Sequence, residues 1–150
     1  MENTKIVIAI AVSAVVIALV ALIITYESQA QSNFHYTGVK REYWLFNSHI
    51  PDFNETKMGM PRDVYSMPSI TVNKGDTIVI HFFNTESEGG DHHSFTISDN
   101  AYNINVALSP GENKTMTFNA NTAGIFPFIC TFHKPTMKGQ LIVELPTGNQ

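Results

Sequence analysis

The chain predicts an all-β fold, a Greek-key antiparallel β-sandwich preceded by one transmembrane helix, and three observations carry that reading. Ile6 to Ile24 is a run of 19 uncharged residues in which Ser13 is the only polar member. Beyond it no segment keeps a long 3.6-residue apolar period. Short apolar runs bounded by Gly, Pro, Asn and Asp follow one another instead, which is the pattern of a sandwich of short strands.

The elements fall out in order. As a helix, Ile6 to Ile24 is about 28 Å long, close to the hydrocarbon thickness of a bilayer. Lys5 before the run and Glu27 after it favour an inside N-terminus and an outside domain. Ser28-Gln29-Ala30 is similar to a signal-peptide cleavage site, but the apolar run exceeds the usual ~7–15 residues of such a leader. A retained anchor is the reading favoured here, and either reading exports the rest. Residues 1–26 are assigned to the anchor, 27–40 to a polar tether rich in Gln, Ser and Asn, and 41–150 to the folded domain.

Within that domain Tyr43 to Phe46 reads as a first strand. Asn47 to Ser66, with Pro51, Gly59 and Pro61, reads as a long connection, more loop than helix. Pro68 to Val72 and Thr77 to Phe83 are strands joined by the turn Asn73-Lys74-Gly75-Asp76. Glu86 to Asp91 is an acidic loop. Ser94 to Ser98, Thr115 to Phe118, Gly124 to Cys130 and Gln140 to Leu145 complete the set, with a turn at Ser109-Pro110-Gly111-Glu112. Pro127 cannot donate a ladder hydrogen bond, so an edge position is expected for its strand.

Composition narrows the function. The roughly 120 residues after the anchor suffice for one domain and not for two. The 10 Phe, 5 Tyr and 1 Trp supply much of its apolar volume. A net charge of -4 gives a nucleic-acid role no electrostatic footing. There is one cysteine, hence no intrachain disulfide, although an exported domain permits one.

That cysteine sits in Phe128-Ile129-Cys130-Thr131-Phe132-His133-Lys134-Pro135-Thr136-Met137, a C-x2-H-x3-M arrangement. Taken singly, a lone Cys or Met is ordinarily core filling. Jointly, a thiolate, an imidazole and a thioether on one loop suit a soft redox ion. Upstream, Asp91-His92-His93-Ser94-Phe95 supplies a second imidazole. Two His, one Cys and a distant Met are the set of a mononuclear type 1 copper ion cycling between Cu(I) and Cu(II). Structural zinc favours several Cys or His and does not recruit Met.

From about Met67 to Leu145 the chain resembles a cupredoxin, the small blue-copper family of plastocyanin, amicyanin and halocyanin. The resemblance rests on Ile70 to Ile80 with its Lys74-Gly75-Asp76 turn, Asn84, His93-Ser94-Phe95, Gly124 to Cys130, and the loop ending Met137-Lys138-Gly139. It implies His93, Cys130, His133 and Met137 as copper ligands, and favours His93 over His92 because a small polar residue follows it. It also implies that the Ser94 N–H bonds to the Cys130 sulfur, a contact that tunes the potential. Strand alternation puts Phe126, Phe128 and Cys130 on one face, where the two rings exclude water.

The function expected is that of a non-enzymatic electron carrier, tethered to the cell membrane by one span with its copper domain outside. Redox protein partners dock near His133, over an apolar patch around Phe132 and Pro135, and Glu86, Glu88 and Asp91 steer a cationic partner or simply keep the loop solvated. The alternative is copper delivery to, or assembly of, a membrane oxidase, using Met58, Met60 and Met67. A copper enzyme needs a further metal site; His35, His49, His81 and His92 are the spare imidazoles. Of these, His81 reads as structural, and His49 and His92 as unpaired surface residues.

Overall fold

Alternation along Thr77–Phe83 shows how the core is built. Ile78, Ile80 and Phe82 on this strand are fully buried, while Thr77, His81 and Phe83 on the other face are partly exposed. The computed structural model describes residues 15–27 and 36–147. The β unit, Thr37–Pro146, contains nine strands. They are β1 (Lys40–His49), β2 (Asp63–Tyr65), β3 (Ser69–Asn73), β4 (Thr77–Phe83), β5 (His93–Ser98), β6 (Asn103–Leu108), β7 (Asn113–Asn119), β8 (Gly124–Ile129) and β9 (Lys138–Glu144).

They form two sheets, ordered β2-β1-β4-β7 and β3-β9-β8-β5-β6. The all-β sandwich is as expected, but the sheets are mixed and not purely antiparallel. β1 runs parallel to β4, and β3 parallel to β9. Both pairs join strands remote in sequence, so no tight hairpin dictates their direction. Leu45, Phe82, Phe95, Ile97, Phe128 and Leu141 meet between the sheets, each at 0–1% exposure. Each buried side chain of this size contributes ~1.5–3 kcal/mol.

The long connection after β1 differs from expectation. It carries one helical turn, Glu55–Met58, capped by Asn54 Oδ1 accepting from the Lys57 N–H at 2.9 Å and closed by Gly59 in the left-handed region. It then contributes β2, which pairs with the end of β1 in the register His49↔Asp63. β6 was likewise not anticipated. Its burial alternates, with Asn103 and Asn105 outward and Ile104 and Val106 half-buried.

β8 is an interior strand, which corrects the edge position expected from Pro127. In the antiparallel β8–β9 pair, Pro127 lies opposite Gln140, whose N–H points away to the Pro68 carbonyl at 2.9 Å. The two residues are therefore a non-hydrogen-bonded pair, and the Pro127 nitrogen faces β5. On that side the described pairing is confined to Thr96↔Ile129. The proline sits where the ladder has already parted.

Gly139 sits opposite Phe128 in β9. A Cβ there would lie 2.3 Å from Phe128 Cζ and 2.7 Å from the Pro68 carbonyl. Only glycine leaves room for the Phe128 ring to lie across β9, two residues from Cys130.

Residues 15–27, described by themselves, are helical and exposed, with Ile17 and Leu22 each about two-thirds accessible. Among the described residues no helix is long and apolar enough to cross a membrane. The first part of the Ile6–Ile24 run, and His35, lie outside the described residues.

Candidate metal centre

β5 and β8 are neighbours in one sheet, so the first residue of β5, His93, comes close to Cys130, which follows β8 directly. The loop from Cys130 to β9 folds back on itself. The Cys130 N–H donates to the Met137 carbonyl at 2.9 Å, and the Met137 N–H donates to the His133 carbonyl at 3.0 Å. This closure points His133 and Met137 inward from one short loop.

The four residues singled out in the sequence are all buried. His93 and Cys130 are fully buried, Met137 is 1% exposed and His133 is 9% exposed. One donor atom from each of His93, Cys130 and His133 lies within 4.8 Å of the others. Cys130 Sγ is 3.6 Å from His133 Nδ1, and the two imidazole rings stand 4.7 Å apart. Met137 belongs to the same buried cluster as Cys130. His92, one residue away, is exposed, with its ring 6.0 Å from that of Phe132.

The chemistry of the donor set fits copper. Neither ring nitrogen of His93 has a hydrogen-bond partner, although the residue is fully buried. An orphaned buried polar atom costs about 1–3 kcal/mol, and coordination removes that cost for the one ring nitrogen that binds. Burial, and then the proximity of His133, push His93 below the ordinary histidine range. The ring is thus held neutral, the form that binds a metal ion.

Ser94 secures the sulfur. Its N–H donates to Cys130 Sγ at 3.3 Å, the contact implied by the resemblance, and its Oγ accepts from the Thr131 N–H at 2.8 Å. Phe128, two residues before Cys130, packs on Tyr65 and Phe95 beside the site. Phe126, expected next to the thiolate, packs instead on Tyr102, four residues down the strand from Cys130.

Three contributors were not legible in the sequence. Tyr65, on β2, packs its ring edge-on against Phe128 at 5.1 Å, and its hydroxyl donates to the Ser94 carbonyl at 2.5 Å. Burial, with a smaller effect from Cys130, raises its pKa far above the ordinary tyrosine range. Asp63, also on β2, is 3% exposed and stands between the outer nitrogens of both imidazoles. Its Oδ1 is 3.8 Å from His93 Nε2 and its Oδ2 is 3.7 Å from His133 Nε2. The third is His49, expected to be unpaired. Its Nε2 in fact lies 3.2 Å from Asp63 Oδ1 and 3.3 Å from Glu86 Oε1.

The acidic loop is divided. Glu86 is tied down by Asn47 Nδ2 at 2.9 Å, whereas the Asp91 side chain is 70% exposed and its carboxylate is 3.7 Å from His133 Nε2. His81 is structural as expected: it bonds to Thr115 Oγ1 at 2.9 Å and stacks on Trp44 at 5.0 Å.

A two-sheet sandwich with a buried Cys-His-His cluster at the junction of β5 and the β8–β9 loop defines the class of protein. Residues 15–143 match the family model of the cupredoxin-like domain, and the chain belongs to that family. Its members bind copper, and the donor set here is consistent with that.

Among solved structures the chain is similar to the copper nitrite reductase of Nitrosomonas europaea, at 22% identity and a TM-score of 0.55 over 73% of this chain and 43% of that one. A laccase from Botrytis aclada shares 24% identity at a TM-score of 0.51, over 77% of this chain and 24% of that one. A histidine-to-methionine variant of rusticyanin shares 19% identity at 0.50, over 73% and 80%. These likenesses establish the fold. The chain spans less than half of the nitrite reductase and about a quarter of the laccase.

Proposed function

We propose that this chain is a membrane-tethered, extracytoplasmic type 1 copper protein that carries single electrons between redox partners. The observation that carries the reading is the sealed donor set. His93, Cys130 and His133 are in mutual reach, and Met137 is buried in the cluster that contains Cys130. Copper bound by such a set supplies one-electron chemistry, since Cu(I) favours sulfur and Cu(II) tolerates nitrogen with one thiolate.

The chain's own residues do the rest. Ser94 and the hydrogen-bonded loop hold Cys130 and His133 in place, which limits rearrangement between oxidation states. Phe128, fully buried two residues from Cys130, keeps water from the thiolate side. His133 is the most accessible of the four and lines a surface cleft with Met60, Pro61, Asp63 and Asp91. A partner docks there, with Phe132, half exposed, at its side. The acidic lining favours a cationic partner face. The apolar run Ile6 to Ile24 supports the tether.

Copper delivery to a membrane oxidase, drawing on Met58, Met60 and Met67, is the alternative. Met67 packs against the core while Met58 is half exposed, so these thioethers lie in different environments.

Titrating the copper-loaded full chain with a one-electron reductant tests the reading. A carrier takes up one electron per chain reversibly and keeps its copper through repeated cycles. Loss of copper to a Cu(I) acceptor on each reduction would favour delivery instead.

A further inference from the structure

A second group of donors converges beside the thiolate site and contains no sulfur. His49 ends β1 and Asp63 begins β2, and the two are direct cross-strand partners. Glu86 reaches them from the loop after β4. His49 Nε2 is 3.2 Å from Asp63 Oδ1 and 3.3 Å from Glu86 Oε1, and all three donor atoms lie within 4.8 Å of one another.

The arrangement is built. Asn47, two residues before His49, donates from Nδ2 to Glu86 Oε1 at 2.9 Å and accepts from the Thr85 N–H at 2.7 Å. The Glu86 N–H in turn donates to Asn84 Oδ1 at 3.1 Å. Asp63 is 3% exposed, and its Oδ1, aimed at His49, accepts no hydrogen bond. A buried carboxylate oxygen without a donor is more destabilising than a neutral orphan. A cation removes that penalty.

The spacing agrees with one. Two donors on a tetrahedral ion with bonds of about 2.0–2.2 Å stand about 3.3–3.6 Å apart. Both measured His49 distances lie at or just below the short end of that range. One imidazole and two carboxylates are borderline-to-hard ligands, which suit a divalent ion such as Zn2+ and not Cu(I). The His49 side chain is 38% exposed, so water can reach the ion and complete its coordination.

We propose that His49, Asp63 and Glu86 form a second, sulfur-free site for a divalent cation. It adjoins the copper site, since Asp63 Oδ1 and Glu86 Oε1 each lie 3.8 Å from His93 Nε2. None of its three residues is a proposed copper ligand, so the two readings can be tested separately.

The test is equilibrium dialysis of the full chain, copper-loaded and in detergent, against Zn2+, with metal analysis and zinc X-ray absorption. One Zn2+ per chain should bind without displacing copper, with nitrogen and oxygen neighbours and no sulfur shell near ~2.3 Å. Glu86→Gln, which keeps the shape of the side chain, and His49→Ala should each weaken binding at least tenfold. The same Glu86 and His49 dependence in a Cys130→Ser background would uphold the site even if the copper reading failed. A zinc–sulfur shell, binding that both variants leave undiminished, or no Zn2+ bound would each overturn the proposal. The last result would leave the trio as side-chain contacts without a cation.

Discussion

Ser94 turns its backbone N–H onto Cys130 Sγ at 3.3 Å, at a place where β5 and β8 have ceased to pair. N–H and C=O of one strand residue point to the same side. The Ser94 carbonyl therefore also loses its ladder partner, and the Tyr65 hydroxyl takes it at 2.5 Å. The parting of the sheet frees a donor for sulfur and creates a buried acceptor that β2 must satisfy.

Tyr65→Phe keeps the ring against Phe128 but leaves that carbonyl unpaired. The expected loss is ~1–3 kcal/mol of stability, a drop of several degrees in thermal midpoint. Calorimetry of the metal-free domain checks it. An unchanged midpoint would mean that the hydroxyl is not what satisfies Ser94.

His93 is fully buried beside Cys130, and His92 is exposed on the other side of the chain. Visible absorption of the copper-loaded protein should survive His92→Ala nearly intact and be lost or strongly altered in His93→Ala. The opposite pattern would make His92 the ligand.

Met137 is buried at the end of the closed loop, 1% exposed. A thioether favours Cu(I), and an amide oxygen favours Cu(II). Met137→Gln should therefore retain a coloured copper–thiolate centre and lower its reduction potential by voltammetry. Should both spectrum and potential stay as they were, Met137 is loop packing and not an axial ligand.

The depressed pKa of His93 has a pH signature in the metal-free protein. Burial disfavours its protonated form in the fold, so the unfolded chain binds the proton more readily. Its contribution to stability is complete above the unfolded value of about 6.5 and is lost as pH falls from there toward the lower folded value. Denaturation midpoints followed from pH 7.5 down should fall more steeply below 6.5 in the wild type than in His93→Gln. Parallel profiles would assign the acid sensitivity elsewhere.

Local pattern made part of this molecule readable and left the rest hidden. β4 and β8 alternate or run apolar between turns, and the loop spacing brings Cys130, His133 and Met137 together without tertiary knowledge. β2 is only three residues after a Pro- and Gly-containing stretch, and it exists because β1 extends to His49 and pairs with it. Asp63, Tyr65 and the His49 pairing were therefore out of reach, since all three depend on that contact. The alternation of β6 was visible but is diluted by its two Asn residues. The parallel pairs follow from chain crossings between the sheets, which no local signal records.

The measurement closest to the central claim is the visible spectrum of the copper-loaded domain, taken for the wild type and for Cys130→Ser. An intense sulfur-to-copper charge-transfer band at one copper per chain, bleached by one-electron reduction and absent from Cys130→Ser, is the predicted result. A pale copper protein whose weak absorption is the same with and without the Cys130 sulfur would contradict the account.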